Sequence, residues 1–151
     1  MERRYAVMGE ICDILALTPD NELAILELKN AEDRYIIQQL TRYHANLLEG
    51  RPFADVINYQ KPVRLIALAP TFHRHNHIER DFSRLSFEFV KLRVLKEDQF
   101  YLEFSFEDVT YPSVRTPIPY QEVDLVGPPE AVTDVPANLL TWLGTCSAAE
   151  Q

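Results

Sequence analysis

Two apolar runs joined by a turn constrain this chain most. Cys12-Asp13-Ile14-Leu15-Ala16-Leu17 has the composition of a strand, Thr18-Pro19-Asp20-Asn21 that of a turn, and Leu23 to Lys29 that of a second strand. Three charged residues, Asp13, Glu27 and Lys29, interrupt the two strands. A charge inside a buried strand costs several kcal/mol unless it is paired or bound to a metal. Strand side chains alternate, so Glu27 and Lys29 share one face and Leu26 and Leu28 take the other. In a hairpin, Asp13 reaches the Glu27 face. Two carboxylates beside an ammonium suit a hard divalent cation and an oxyanion. The simpler alternative is a structural ion cluster at a strand end.

The residues beyond Lys29 extend the pattern. Asn30 has the character of an N-cap with Asp33 at N3, which predicts a helix from Ala31 to about Leu48. Ile36, Ile37, Leu40, Tyr43, Ala45, Leu47 and Leu48 supply its apolar stripe, Gly50 a C′ residue, and Pro52 a block to continuation. Gln39 and Tyr43, four apart, lie on one flank of this helix. Pro62 to Pro70 is nearly all apolar and suits a central strand covered on both faces, with parallel neighbours. Strand, strand, helix, strand supplies one crossover, expected to be right-handed.

The set Gly9-Glu10-Ile11-Cys12-Asp13-Ile14-Leu15, Ile25-Leu26-Glu27-Leu28-Lys29 and Gln39-Leu40-Thr41-Arg42-Tyr43 resembles the PD-(D/E)xK, or restriction-endonuclease-like, superfamily. The branch it resembles is the catalytic domain of NucS-like endonucleases, over roughly residues 9 to 70. The ordered Asp, Glu-x-Lys and Gln-x-x-x-Tyr set tips the balance from an ion cluster to a metal site. The resemblance implies an α/β fold with a mixed central sheet of about five strands flanked by helices. It implies metal-dependent hydrolysis of DNA, with Asp13, Glu27, Lys29 and Gln39 catalytic. Asp13, Glu27 and the Leu28 carbonyl would hold Mg²⁺ or Mn²⁺, while Lys29 orients or helps deprotonate a water and Gln39 positions it. Tyr43 is expected to pack and donate a hydrogen bond. Arg34, Arg42, Tyr43 and Arg74 are the residues expected to meet nucleic acid. The family pattern usually places one or more helices, often with another acidic residue, before the Asp strand. Here about ten residues precede Asp13, so that helix is expected to be absent or reduced, supplied by a partner chain, or lost through a misplaced start, with Glu2 or Glu10 as stand-ins for the acid. The alternative function is a catalytically inactive nuclease-like domain that binds nucleic acid or protein.

The rest of the chain is less specific. Arg4 to Met8 suits a short edge strand turning at Gly9. Thr71 to Asn76 is expected to loop before a short helix near His77 to Leu85. On an extended segment, His73, His75 and His77 would share a face and could take a transition metal. With Arg74, Arg80 and Arg84 the segment could instead meet phosphate. Phe87 to Leu95 and Gln99 to Glu107 are expected strands around the Lys96-Glu97-Asp98 turn. Residues 1–111 are expected to form the nuclease-like domain. Residues 112–151, with Pro112, Pro117, Pro119, Pro128, Pro129 and Pro136, are expected to be a mostly extended tail packed on it, with Asn138 to Leu143 as a helical turn seating Trp142.

Composition weighs on both functions. Of 151 residues, 46% are hydrophobic, enough for one core. The formal net charge of −8 opposes general attraction to polyphosphate. Most lysines and arginines fall between residues 30 and 96, which leaves room for a local basic cleft on an acidic body. Cys12 and Cys146 are the only cysteines; with no apolar leader and no run of about 18 apolar residues, a cytoplasmic protein that does not span a membrane is expected. A homodimer is expected, since such nucleases often cut duplexes with two sites.

Overall fold

A computed structural model of the chain describes residues 1–108, 113–119 and 130–131. Its first three strands, β1 (Glu2–Val7), β2 (Glu10–Leu17) and β3 (Leu23–Leu28), form an antiparallel meander. Helix α1 (Ile36–Gly50) crosses to β4 (Arg64–Ala69), parallel to β3. Helix α2 (Arg74–Phe82) crosses to β5 (Phe87–Lys96), parallel to β4. β6 (Phe100–Phe106) and β7 (Val114–Pro117) return antiparallel, and the short β8 (Glu130–Ala131) pairs with Leu95 and Lys96 of β5. The sheet order is β1-β2-β3-β4-β5-β6-β7, with β8 beside β5. The α/β class and the mixed sheet agree with the sequence. The sheet exceeds the expected five or so strands, because the short β7 and β8 add to it beyond the strands that the sequence marks.

Both hairpins reflect local chemistry. Met8 and Gly9 have φ of 48° and 85° between the paired Val7 and Glu10. Positive φ at both central residues is the two-residue turn that matches the right-handed strand twist. At the second turn the Asn21 amide donates to the Thr18 carbonyl (3.0 Å), and the Glu22 amide to Thr18 Oγ1 (3.1 Å). Pro19 fits the second position, and Asn21 takes φ 59°, which asparagine tolerates.

One face of the sheet carries the principal core. Leu23, Ile25, Leu65, Ala67, Phe87 and Phe89 meet Ile36, Ile37, Leu40, Tyr43 and Leu47 of α1. The opposite face holds a smaller cluster around Leu28, Leu68 and Val90. Glu27 continues the alternation of Leu23 and Ile25 and so lies on the α1 face.

Both helices start away from their expected positions. α1 begins at Ile36 instead of Ala31, without a side-chain cap. Asp33 cannot complete a capping box from Asn30, because its carboxylate accepts from the Tyr35 amide (2.7 Å) and pairs with Lys29 (3.2 Å). At the other end Arg51, one residue beyond Gly50, takes the left-handed cap at φ 40°. α2 begins at Arg74, three residues before the expected His77. His73 Nδ1 accepts from the His75 amide (3.1 Å), and Asn76 Oδ1 accepts from the His73 amide (2.9 Å). This reciprocal cap, made by histidine and asparagine in place of the usual Ser and Glu, hid the start of α2. The histidines therefore do not alternate along an extended segment. His73 and His75 stack (5.1 Å between ring centroids), and His77 faces Glu107 at 3.6 Å.

Strands β5 to β7 are clamped by one buried carboxylate. Glu103 is 4% exposed; its oxygens accept from Arg93 Nη2 (2.8 Å) and Arg115 Nε (2.8 Å). The Ile118 amide donates to the Phe100 carbonyl (2.9 Å), tying the segment after β7 to β6. β7 and β8 thus join the same sheet, while Asn138 to Leu143, Trp142 and Cys146 lie outside the described residues.

The β1–β2 turn and the Glu103 clamp each have a measurable consequence. Met8→Asn places the favoured Asn-Gly pair in the turn and should raise stability by about 1 kcal/mol in urea denaturation. The Arg115 hydrogen bond, outweighing burial and helped by Arg93, holds the Glu103 carboxyl below the usual carboxylate range. Its stabilisation is therefore complete above the unfolded pKa of about 4.3 and is lost as pH falls through the lower folded pKa. Glu103→Gln should cost about 1–2 kcal/mol at pH 7, a gap that closes below about pH 4.

Candidate active site

The β2–β3 ladder ends where the charges begin. Its last pair is Ile14 with Leu26; the next position would oppose Asp13 to Glu27. There Asp13 Oδ2 accepts from the Leu28 amide at 2.8 Å, taking the place of a strand carbonyl. The alternation of β2 also breaks here: Cys12 and Leu15, three apart, both join the α1-side core. Such an interruption re-aims a side chain, as bulges do beside functional sites. It lets Cys12 and Asp13, adjacent in sequence, both be buried.

Glu27 and Lys29 complete the cluster. Glu27 is 3% exposed and Lys29 8%. Lys29 Nζ lies 3.1 Å from Glu27 Oε1 and 3.2 Å from Asp33 Oδ2. The Lys29 backbone amide donates to the Leu68 carbonyl (2.8 Å), which anchors the end of β3 to β4. Asp33 is a site member that sequence reasoning missed, since its spacing suggests a helix cap. The signal present was its four-residue offset from Lys29.

The electrostatics are unfavourable to Asp13 and favourable to Lys29. Burial pushes the Asp13 carboxyl up, against the opposing pull of the Leu28 amide, Lys29, Glu27 and Arg4. Burial also works against the Lys29 ammonium, but Glu27 and Asp33 outweigh it and hold its pKa above the ordinary lysine value. Cys12 is pushed up to about 11 by burial and by the nearby Glu27 charge. Its buried thiol, 3.5 Å from the Tyr5 carbonyl, stays protonated at neutral pH and is no nucleophile.

The other sequence candidates divide. Gln39 is 3% exposed on the α1 face that meets the sheet. Tyr43, expected to meet nucleic acid as well as to pack, is 5% exposed and belongs to the core; a buried ring has no surface for a polymer. Arg42 Nε is held by Glu10 Oε1 at 2.7 Å. The same bond turns Glu10 toward α1. Arg34 precedes α1 instead of lying on it. Its carbonyl accepts from the buried Asn76 (3.0 Å), which ties the exposed Arg34 and the start of α2, with exposed Arg74, to the Asp33 segment. Arg80 is occupied by Asp108 (2.8 Å) and lies over the Phe89 ring (4.5 Å).

The donor set fits a hard divalent cation. The carboxyl groups of Asp13, Glu27 and Asp33 outnumber the single Lys29 ammonium at this point, an acidic excess that a bound cation would offset. Two carboxylates and a strand-end carbonyl suffice for Mg²⁺, which keeps several waters. Among the described residues, no group of three or more His, Cys, Asp or Glu side chains has metal-holding geometry.

Two solved structures are similar to this chain. One is a repair endonuclease from Pyrococcus abyssi, 22% identical, with a TM-score of 0.45 over 60% of this chain and 37% of the other. The second is an EndoMS-dsDNA2 complex, 24% identical, with a TM-score of 0.45 over 60% of this chain and 35% of the other. The match spans little more than a third of the length of each of the two solved chains. No protein-family model and no curated protein matches the chain. No helix among the described residues is long and apolar enough to cross a membrane.

The raised Asp13 pKa makes a signed prediction. An acid that is harder to ionise when folded destabilises the fold above its folded pKa, and the penalty vanishes below the unfolded value near 3.9. Asp13→Asn keeps an oxygen for the Leu28 amide and removes the charge. It should raise Tm by several degrees at pH 7.5, with the gain fading toward pH 4, in thermal melts across pH.

Proposed function

We propose that this chain is a metal-dependent nuclease domain that hydrolyses phosphodiester bonds of DNA at Asp13, Glu27 and Lys29. The observation that carries the reading is the convergence of two buried carboxyls and a buried ammonium where β2 parts from β3. An ion pair alone gives little reason to bury this much charge. Asp13, Glu27 and the Leu28 carbonyl are the residues to hold Mg²⁺ or Mn²⁺. Bound there, the ion would supply Lewis-acid polarisation of the phosphate and a lower pKa for the attacking water.

The protein's own groups do the rest. Lys29, held protonated by Glu27 and Asp33, serves as a charge rather than as a base. Its ammonium donates to the attacking water or a phosphoryl oxygen and offsets the charge that grows as the new P–O bond forms. The bond to the leaving oxygen breaks; one proton leaves the water and one reaches the leaving alcohol. Asp33 keeps Lys29 in place, and Glu27 would hold the cation with its carboxylate. Gln39, fixed in α1, would position the water or a neighbouring phosphate through its carboxamide.

The net charge of −8 favours a second reading, a nuclease-like domain that binds without cutting. The two separate on labelled duplex, single-stranded, mismatched and flapped DNA incubated with Mg²⁺ or Mn²⁺. The nuclease reading expects cleavage that EDTA abolishes and that falls at least 100-fold in Glu27→Ala and Lys29→Ala. Salt-sensitive DNA binding by a folded protein, with no cleavage of any substrate and no metal binding by calorimetry, would establish the second.

A further inference from the structure

The edge strand beside β2 carries a backbone anomaly. Arg4 of β1 has φ 50°, the left-handed region, which a long side chain adopts at a cost. Its neighbours Arg3 and Tyr5 pair with Ile14 and Cys12, so Arg4 stands opposite Asp13. The backbone departs from regular strand geometry on both sides of the same point: at Arg4 in β1, and where the β2–β3 ladder ends beside Asp13. Backbone strain kept at such a point calls for a functional reason.

Two cations near the site, Lys29 and Arg42, are already committed. Lys29 is held by Glu27 and Asp33, and Arg42 by Glu10. Among the described residues, Arg4 has no hydrogen bond or ion pair to its guanidinium, and it is exposed. Its charge nonetheless reaches the buried Asp13 carboxyl. It thus combines proximity to the site with donors free for a ligand. A guanidinium presents a planar fork of N–H donors that matches two oxygens of one phosphate.

Resting on the nuclease reading, we propose that Arg4 is a substrate-binding residue that grips a nucleic-acid phosphate beside Asp13. The left-handed backbone turns it out of the regular alternation of β1 to do so. Arg3, next in the chain and equally exposed, pairs in regular register with Ile14 and has no such task.

Arg3 provides the matched control. Binding of a fluorescent DNA duplex is measured by anisotropy in EDTA, across salt concentrations, for wild type, Arg3→Gln, Arg4→Gln, Arg4→Lys and Arg4→Gly. Arg4→Gln should bind about five- to tenfold more weakly, with a log-log salt slope lower by about one; Arg3→Gln should stay within about twofold of wild type. Arg4→Lys should recover part of the affinity. Arg4→Gly, which suits the left-handed backbone, should melt no lower than wild type yet bind as weakly as Arg4→Gln. Equal losses in Arg3→Gln and Arg4→Gln would reduce Arg4 to general surface charge and overturn the proposal, as would unchanged binding in both or no binding by wild type. Because binding is read without metal, a selective Arg4 effect in a protein that cuts nothing removes the nuclease reading and leaves the phosphate contact standing. Cleavage with Mg²⁺ alongside equal Arg3 and Arg4 effects does the reverse.

Discussion

The hydrogen bond from the Leu28 amide to Asp13 Oδ2 is the interaction on which the site depends. A carboxylate here does the work of a backbone carbonyl. It allows β2 to leave the ladder without stranding a buried donor, whose desolvation would cost about 1–3 kcal/mol. The same bond fixes Asp13 where β3 delivers Glu27 and Lys29. One residue thus serves the backbone and, under the proposed function, the chemistry as well.

From that point the fold works as a support. β3 is held on one side by β2 and on the other by β4, whose Leu68 carbonyl takes the Lys29 amide. α1 closes the face that bears Glu27 and supplies Gln39 from a rigid helix. α2 fastens the approach to α1 through Asn76 and the Arg34 carbonyl, in the segment that carries Asp33. The acidic partners of Lys29 thus come from two sides, one in β3 and one in the loop after it. This keeps the lysine charged although burial opposes it.

The hairpins, the α1 crossover and the parallel β4 were legible because each rests on local chemistry. Met8-Gly9 and Thr18-Pro19-Asp20-Asn21 are turns for reasons contained in their own residues, and the apolar periods of β3, α1 and β4 arise from burial. The helix starts were not legible. Asn30 and Asp33 have good capping chemistry, yet Asp33 finds a stronger partner in Lys29, while α2 is capped by a histidine that composition assigns to a loop. Nor was the partner of Arg42 legible: Glu10, 32 residues earlier, accepts from its guanidinium. Each miss involves a side chain with two eligible partners, and propensity cannot choose between them.

By itself, then, the sequence determined an α/β chain with Asp13, Glu27 and Lys29 set in apolar strands. Burial of alternate residues is enough to place Glu27 and Lys29 on one face. Only the tertiary structure decided that Asp13 replaces a carbonyl, that Asp33 shares Lys29, and that Arg4 stands across from Asp13 in a left-handed conformation. These depend on pairing between segments distant in sequence. There a one-residue change of register would turn every side chain to the other face, so the outcome belongs to the assembled sheet.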